Sequence, residues 1–365
     1  MIEPKVILEE LDKCVRCGFC NPECPVLEYY ERIETYAPRG RLSMLRGMLT
    51  GDLDASERLM RYVYTCTLCG RCALKCPGGI EISEVNLKSR SIVSSKVPLP
   101  ERLRELADNI LGIGNPFGQS VEAPKISESK TLMWVGCMAS IRLSGYRESL
   151  EKLVKAIAPE AKIVGVGEMC CGLNVVNLGL WDEAKKLAEK VVDYLKKFKA
   201  ELLLTICPGC YNTFTKLYPE FLGVELPLEV RFASEEFADK LRSLELKRVE
   251  LKVAYHDPCE LGRRAGIYDS PREVLDAIPG VELVELERNR QWSTCCGGGG
   301  VLWTLDVRAM NSIARRKLER EVLPLGVQAL ATACPMCYLN FRMASRRVKP
   351  RIEVVDIFEL ASRAL

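Results

Sequence analysis

The same three residues occur twice in this chain, as Cys170-Cys171-Gly172 and as Cys295-Cys296-Gly297. Adjacent cysteines make a strained disulfide, whereas two neighbouring thiolates can hold or bridge two iron ions. The glycine lets the backbone pass close to a bulky inorganic core. Each pair lies at the centre of a set of five cysteines in one order and at nearly one spacing, and we predict that all of them are ligands of metal clusters. The sets are Cys137, Cys170, Cys171, Cys207 and Cys210, then Cys259, Cys295, Cys296, Cys334 and Cys337.

Upstream of these sets, two runs share the pattern C-x-x-C-x-x-C-x-x-x-C-P, at residues 14–25 and 66–77. The pattern is typical of bacterial ferredoxins, in which the fourth cysteine of each run binds the cluster of the other run. Structural zinc is the alternative for paired cysteines, but it explains neither the four-cysteine runs nor the adjacent pairs. The pattern assigns one [4Fe–4S] cluster to Cys14, Cys17, Cys20 and Cys76, and a second to Cys66, Cys69, Cys72 and Cys24.

The segment between the two runs predicts helices rather than the β-rich connection of a small ferredoxin. Apolar residues recur at helical spacing on both sides of Gly51-Asp52, which predicts two helices within residues 40–64. Another helix is expected from Ile82 to about Ser95, before Pro98. Several arginines are expected to form a solvated basic face, with counter-charge for anionic clusters or an acidic partner as the alternative. They are Arg39, Arg41, Arg46, Arg61 and Arg71.

The remainder of the chain consists of two copies of one alternating strand–helix unit. Predicted strands run directly into cysteines, as when Thr131–Val135 precedes Cys137 and Leu202–Ile206 precedes Cys207. Strands that alternate with helices form parallel sheets, and open parallel sheets gather ligands at the carboxyl ends of their strands. We therefore expect an α/β fold in which three loops of each unit bring its cysteines to one sheet edge.

These patterns divide the chain into four parts. A helical ferredoxin-type domain with two [4Fe–4S] clusters is predicted at residues 1–98 and a linker at 99–130. The linker is expected to hold one short helix, Arg102 to Ile110, before a stretch rich in glycine, proline and serine, Gly112 to Ser129. The two repeated units, each with a parallel sheet, are predicted at 131–245 and 246–365. The expected fold class is therefore α/β with an α-helical ferredoxin-type N-terminal domain.

Composition, charge and the length of the apolar runs limit the classes of protein to which this chain can belong. The 365 residues carry a net charge of +3, which gives no indication of nucleic-acid binding. No apolar run approaches the roughly 18 residues of a membrane span, and Met1–Pro4 lacks the basic start of a secretory signal. We therefore expect a cytoplasmic protein that reaches the inner face of the membrane only through a partner. Its 18 cysteines favour an anaerobic or strongly reducing setting.

The second unit carries His256-Asp257-Pro258-Cys259 and a vicinal pair followed by four glycines. Together with the ferredoxin-type runs, these motifs resemble the CCG-domain iron–sulfur family of the heterodisulfide reductase D subunit over nearly the whole chain. Relatives in that family include iron–sulfur subunits of glycolate oxidase, lactate oxidation systems and anaerobic glycerol-3-phosphate dehydrogenase. The resemblance implies that one or both CCG units hold a noncubane [4Fe–4S] cluster through five cysteines. It also implies that the N-terminal clusters supply single electrons for splitting a disulfide between the CCG sites.

Two functions follow from the resemblance. The two complete cysteine sets favour an enzyme that reduces a disulfide such as CoM-S-S-CoB, or runs in reverse. The alternative is an electron-transfer subunit of a flavin-dependent lactate, glycolate or glycerol-3-phosphate dehydrogenase. No G-x-G-x-x-G follows a strand, so flavin would need a separate subunit. The expected partners are a flavoprotein or a membrane cytochrome or quinone-reactive subunit, together with small-molecule disulfides or thiols.

His256, the only histidine in the chain, lies three residues before Cys259. Histidine transfers protons near neutral pH, so His256 is a candidate donor to the leaving thiolate. The alternative is a buried residue that orients the cysteine loop. Asp257 is expected to act as a capping residue, and the alternative is a hydrogen-bond acceptor behind the cysteine ligands.

Two further motifs accompany the second set. Arg263 and Arg264 are expected either to meet an anionic substrate or to begin an exposed helix. Gly297 to Gly300 predict a close backbone approach to a cluster or substrate. No Lys-Ser/Thr follows the glycines, which excludes a P-loop.

Overall fold

The computed structural model describes residues 3–143 and 145–365. Its N-terminal part is helical: α1 (Pro4–Asp12), α2 (Pro38–Thr50), α3 (Glu57–Tyr64), α4 (Ile82–Lys96) and α5 (Glu101–Ile113). Proline at the first position of α2 suits a helix start, where its missing N–H is not needed. Gly51 ends α2 in the left-handed region at φ 85°. The two helices predicted around Gly51-Asp52, and the helix from Ile82, are confirmed.

The first α/β unit follows the alternation expected from the sequence. Its elements are β1 (Thr131–Trp134), α6 (Cys137–Arg142), α7 (Tyr146–Ile157), β2 (Lys162–Val164), α8 (Leu173–Asn177), α9 (Trp181–Lys196), β3 (Leu202–Thr205), α10 (Pro208–Asn212), β4 (Glu229–Phe232) and α11 (Ala233–Arg242). A wide π-helical stretch, Thr213–Leu222, continues α10.

The second unit repeats this order with small differences in the helices. Its elements are β5 (Leu251–His256), α12 (Ser270–Asp276), β6 (Val281–Glu285), α13 (Leu302–Leu305), α14 (Val307–Lys317), β7 (Ala329–Thr332), α15 (Pro335–Ser345), β8 (Glu353–Asp356) and α16 (Ile357–Arg363). A single π-helical turn, Glu260–Arg264, takes the place that α6 holds in the first unit.

Each unit contains one four-stranded parallel sheet. The strand orders are β2-β1-β3-β4 and β6-β5-β7-β8, and every pairing is parallel. The equivalent orders confirm the internal repeat and the α/β fold class. In both sheets the first and third strands of the unit lie side by side in the centre, so the loops after them meet at one edge.

The faces of the first sheet pack into two different cores. Leu132 and Trp134 of β1 face a core shared with the N-terminal helices. Met133 and Val135 face a second core that also contains Val253 of β5 and the helices between the sheets. Because side chains alternate along a strand, the first unit is packed between the N-terminal domain and the second unit.

Buried polar contacts join the three parts. Arg90 of α4 is fully buried and donates to the carbonyls of Asn177 and Cys66, each at 2.8 Å. The Tyr146 hydroxyl donates to Asp356 across the two units at 3.0 Å. Within residues 3–143 and 145–365, no helix is both long and apolar enough to cross a membrane.

Candidate metal centres

The cysteines of each α/β unit lie in loops at the carboxyl edge of its sheet. Cys137 follows β1 and begins α6, while Cys207 follows β3 and precedes α10. Pro208 starts α10, so the helix begins at once and carries Cys210 on its first turn. Cys170 and Cys171 come from the loop after β2 and are both buried. The loop arrangement predicted for the first set is therefore observed.

The second set is arranged in the same way and is wholly buried. Its Cys296 and Cys337 sulfurs lie 3.1 Å apart, and Cys259, Cys295 and Cys334 are also buried. A soft donor set of sulfur alone suits iron–sulfur clusters.

His256 lies at the end of β5, against the second set. One of its ring nitrogens and the sulfurs of Cys296 and Cys337 lie within 4.8 Å of one another. The Nδ1 atom is 3.3 Å from the Ser293 hydroxyl, and the ring packs edge-on against Phe341 at 4.8 Å. Burial is the main cause that lowers the pKa of His256. The histidine is therefore a neutral, firmly packed group beside the cysteines.

The two ferredoxin-type runs enclose two separate cavities. One is lined by Cys14, Cys17, Cys20 and Cys76, and the other by Cys24, Cys66, Cys69 and Cys72. These are the two groups of four that the shared-ligand pattern assigns to the two clusters. Of the 18 cysteines only Cys17 is exposed. The first cavity, which Cys17 lines, is therefore the one nearer the surface.

Several features fit bound clusters at these positions. Burial is the main reason that the pKa of the Cys20 thiol rises to about 11, and burial also raises the pKa of Cys72. Thiols like these become thiolates when a metal ion binds them. Gly136, directly before Cys137, has a φ of 83°, a backbone conformation that favours glycine and lets the chain turn beside the Cys210 sulfur. The residues present therefore fit iron–sulfur clusters.

One N-terminal site adjoins the cysteines of the second unit. Cys69 packs with Cys259 and Cys295 in one buried cluster. The Cys295 sulfur is also 3.8 Å from the Thr67 hydroxyl. The contact joins the inner of the two N-terminal sites to the second set, and no sequence pattern indicated it.

The four-glycine run has a different neighbour from the one expected. A Cβ on Gly299 would lie less than 3.0 Å from the carbonyl oxygen of Thr67, and one on Gly300 equally close to that of Cys66. Real side chains do not approach so closely. The close backbone approach predicted for these glycines is therefore made to the backbone of the second ferredoxin-type run.

The expectation of a solvated basic face is wrong for two of its arginines. Arg41 is only 2 % exposed, and its Nη1 lies 3.8 Å from the Cys24 sulfur. Arg71 is 9 % exposed and forms an ion pair with Glu23 at 2.8 Å. Each of these guanidinium groups lies beside a group that can carry negative charge, the Cys24 sulfur for Arg41 and the Glu23 carboxylate for Arg71. A buried arginine is stable only with partners of this kind.

Two expectations for the second unit are also corrected. Asp257 does not cap the turn Glu260–Arg264. It is buried, forms a bidentate ion pair with Arg272 at 2.7 and 3.0 Å, and accepts a hydrogen bond from the backbone N–H of Arg290 at 2.8 Å. Arg263 and Arg264 do not begin an exposed helix. Their side chains donate to the carbonyls of Cys69 and Leu68, at 2.7 and 2.9 Å, and so fasten the second unit to the N-terminal domain.

Residues that the sequence did not single out hold the two vicinal pairs. The carbonyl of Cys171 accepts a hydrogen bond from the Tyr218 hydroxyl at 2.9 Å. In the second unit the carbonyl of Cys296 accepts from Asn340 at 2.6 Å. Both partners come from the helical segment after the CxxC, but their types differ, so comparison of the two repeats could not reveal them.

Comparisons with known proteins agree with these features. The cysteine-rich CCG domain model matches residues 131–215 and 253–342, and the 4Fe-4S dicluster domain model matches residues 10–80. Two relatives align over almost the whole chain. The D subunit of the dihydromethanophenazine:CoB–CoM heterodisulfide reductase of Methanosarcina acetivorans is 30 % identical over 407 residues, which covers 99 % of this chain and 95 % of the relative. The B subunit of the fumarate reductase (CoM/CoB) of Methanothermobacter marburgensis is 29 % identical, with coverage of 98 % and 73 %.

Both the length of these alignments and the cysteine sets support one assignment. The names of the two relatives describe them as subunits of reductases. The two domain models match the ferredoxin-type runs and the two five-cysteine sets, respectively. The chain therefore belongs to the iron–sulfur oxidoreductase family of the heterodisulfide reductase D subunit.

Proposed function

We propose that this chain is the disulfide-reducing subunit of an iron–sulfur complex, or the subunit that forms a disulfide when the reaction runs in reverse. The observation that carries the proposal is the contact of Cys69 with Cys259 and Cys295. It provides a short path from an N-terminal site to a CCG site. A carrier that only passed electrons through its ferredoxin-type clusters would have no need of two further complete cysteine sets.

In this proposal electrons enter or leave at the site of Cys14, Cys17, Cys20 and Cys76, because it holds the exposed cysteine. The site of Cys24, Cys66, Cys69 and Cys72 follows and adjoins the second CCG unit. The ten cysteines of the two units are the proposed ligands at the reacting centre: Cys137, Cys170, Cys171, Cys207, Cys210, Cys259, Cys295, Cys296, Cys334 and Cys337. Bound iron–sulfur clusters, of the noncubane type in the CCG units, would supply one-electron storage and iron that can bind sulfur.

The overall reaction consumes two electrons and two protons per disulfide and yields two thiols. The electrons come singly from a partner, for which a flavoprotein or a membrane cytochrome subunit is suited. The substrate class is a small disulfide. Two relatives carry CoM and CoB in their names, so the disulfide of these two thiols is the first substrate to test.

We assign His256 a positioning role in this reaction. Its Nδ1 is held near Ser293 and its ring against Phe341, which leaves Nε2 free of other partners among the described residues. A ring held on two sides in this way can present one nitrogen to the Cys296 sulfur in a fixed orientation.

The test is anaerobic turnover of the chain with its clusters reconstituted. A reduced viologen dye supplies electrons, and its oxidation is followed after addition of the CoM–CoB heterodisulfide. Cys295→Ser and Cys170→Ser should each abolish turnover, because each removes one sulfur of a vicinal pair. Iron content and the electron paramagnetic resonance of the N-terminal clusters serve as the control for an intact ferredoxin-type domain.

Absence of turnover in the unsubstituted chain, with redox-active N-terminal clusters, would contradict the proposal. The chain would then be an electron conduit, and reduction of its clusters by a flavin-dependent hydroxyacid or glycerol-3-phosphate dehydrogenase would be the next measurement. Full turnover in Cys170→Ser would restrict the chemistry to the second unit.

A further inference from the structure

A surface pocket of about 430 Å³ lies in the second unit, between the end of α15, strand β8 and helix α16. None of the 18 cysteines is among the described residues that line it, so it is a different site from the candidate metal centres. Its volume falls within the range of small-molecule sites, roughly 300–1,000 Å³. The charged residues of its walls are Arg342, Arg346, Arg351, Arg363, Glu353 and Glu359.

The two carboxylates of this pocket are both taken up by a single arginine. Arg363 donates to Glu353 at 2.7 Å and to Glu359 at 2.9 Å, and the Tyr338 hydroxyl donates to Glu359 at 2.6 Å. Four guanidinium groups thus face two carboxylates, which leaves the pocket with a net charge of +2. In the described part of the chain, the arginines that form no ion pair are the other three, Arg342, Arg346 and Arg351.

One of the three unpaired arginines is held in place by an aromatic side chain. Arg342 Nη1 donates to the Tyr338 hydroxyl at 3.2 Å, and the guanidinium group lies 5.1 Å from the centre of the tyrosine ring. Tyr338 itself is only 4 % exposed. The guanidinium group therefore has a fixed position without a carboxylate to cancel its charge, and a side chain ordered in advance loses less conformational entropy when a ligand binds.

The equivalent segment of the first unit does not carry this charge. Residues 338–352, between the CxxC and β8, contain five cations and no carboxylate, whereas residues 211–228 of the first unit contain one lysine and two glutamates. The whole chain has a net charge of only +3. Cations in the last turn of a helix interact favourably with its dipole, but Lys349 and Arg351 lie beyond the end of α15. The repeated fold therefore does not by itself require this group of cations.

We propose that this pocket binds a phosphate group, held by Arg342, Arg346 and Arg351. A guanidinium group forms paired, charge-assisted hydrogen bonds with phosphate oxygens. Three such groups around one concave surface favour a ligand with several anionic oxygens over a single carboxylate. The phosphate belongs either to a lipid head group at a membrane surface or to a free phosphate compound, since both present the same oxygens. The site goes beyond the proposed function, because it uses none of the candidate cluster ligands.

The experiment has two arms, both on the full chain with its clusters, under anaerobic conditions and at low ionic strength. Isothermal titration calorimetry with inorganic phosphate tests a free phosphate compound, and poly-L-glutamate in the same calorimeter tests an acidic protein surface. Co-sedimentation with vesicles of phosphatidylglycerol and phosphatidylcholine, compared with phosphatidylcholine alone, tests a lipid head group. Arg346→Gln and Arg351→Gln should each weaken binding on the order of tenfold, because each removes a charge-assisted contact. Arg347→Gln is the matched control, since it removes the same charge from an exposed neighbour that does not line the pocket.

Binding in either arm that is weakened in Arg346→Gln and Arg351→Gln but retained in Arg347→Gln would support the inference, and the arm in which it occurs identifies the source of the phosphate. Absence of binding in both arms would overturn it. An equal loss in Arg347→Gln would also overturn it, because diffuse surface charge would then account for the binding. Binding of poly-L-glutamate but of neither phosphate probe would contradict the inference and indicate an acidic protein partner instead.

Discussion

Asp356 illustrates how strongly a single residue depends on its surroundings. It ends β8, is fully buried, and accepts hydrogen bonds from the Tyr146 hydroxyl and from the backbone N–H of Phe358, each at 3.0 Å. Its second carboxylate oxygen has no partner among the described residues. Burial is the main cause that raises the pKa of Asp356 to about 8. A group that holds its proton at neutral pH therefore lies between the two units.

Replacing this carboxyl with a neutral amide in Asp356→Asn should change how stability depends on pH. The folded-state pKa lies above the unfolded value near 3.9, so between about pH 4 and pH 8 the folded protein holds a proton that the unfolded chain has lost. The free energy of unfolding contributed by this group therefore falls as pH rises through that window. The variant should gain stability over the unsubstituted protein by up to about 1.4 kcal/mol per pH unit, measured as thermal unfolding midpoints from pH 5 to pH 8. Asp276→Asn, whose side chain is 82 % exposed, is the surface control, and a difference between Asp356→Asn and the unsubstituted protein that stays constant from pH 5 to pH 8 would contradict the prediction.

Gly299→Ala adds one methyl group where the backbone of Gly299 lies against that of Thr67, and so tests this close contact. Its Cβ would overlap the Thr67 carbonyl oxygen, and overpacking of this kind costs about 1–3 kcal/mol. The unfolding midpoint should fall, and the second unit should lose iron as it separates from Cys66 and Thr67. Gly112→Ala is the control, because a Cβ there meets nothing within 4 Å. Equal unfolding midpoints in Gly299→Ala and Gly112→Ala would show that the close contact between Gly299 and Thr67 does not contribute to stability.

At the scale of elements, polar groups on α4 and on the turn Glu260–Arg264 hold the three parts together. The Arg90 guanidinium of α4 binds carbonyls from the N-terminal domain and the first unit, while Arg263 and Arg264 bind carbonyls beside Cys69. Burial lowers the pKa of Arg90 to about 10, so it remains a cation at neutral pH. Cationic donors to buried carbonyls keep the segments that carry the cysteines in fixed positions.

Arg90→Met should therefore destabilise the protein although the replacement is large and apolar. The carbonyls of Asn177 and Cys66 would lose a charged donor, and an unsatisfied buried polar group costs about 1–3 kcal/mol. Chemical unfolding under anaerobic conditions should show a lower midpoint, while Arg104→Met on the exposed face of α5 should change it little. A midpoint equal to that of the control would mean that the guanidinium is not needed at this junction.

At the scale of the whole molecule, the N-terminal domain contacts both units rather than hanging from a linker. Glu28 forms ion pairs with Arg316 and Arg320 of the second unit, and the Tyr30 hydroxyl donates to Asp306 at 2.8 Å. The core of the first unit continues into the N-terminal helices. The three parts are thus expected to unfold together.

A chain shortened to residues 131–365 should lose the iron of its second unit and should aggregate. It would expose the apolar face of the first sheet and remove Thr67 and Cys69 from beside Cys295. We expect aggregation and loss of iron, measured by size-exclusion chromatography and iron content. A monodisperse product with full iron in both units would show instead that the CCG units fold independently of the ferredoxin-type domain.

Local sequence was sufficient for the cysteine runs, the repeated strand–helix order and the parallel sheets. Cluster-ligand spacing and the period of apolar residues act over a few positions along the chain, so both appear directly in the sequence. The contact of Cys69 with Cys259 and Cys295, and the burial of Arg41 and Arg71, could not be derived in this way. Neither could the pairing of Asp257 with Arg272. These features depend on packing between segments distant in sequence, and only the tertiary structure decides which charges lose their water and which backbones touch.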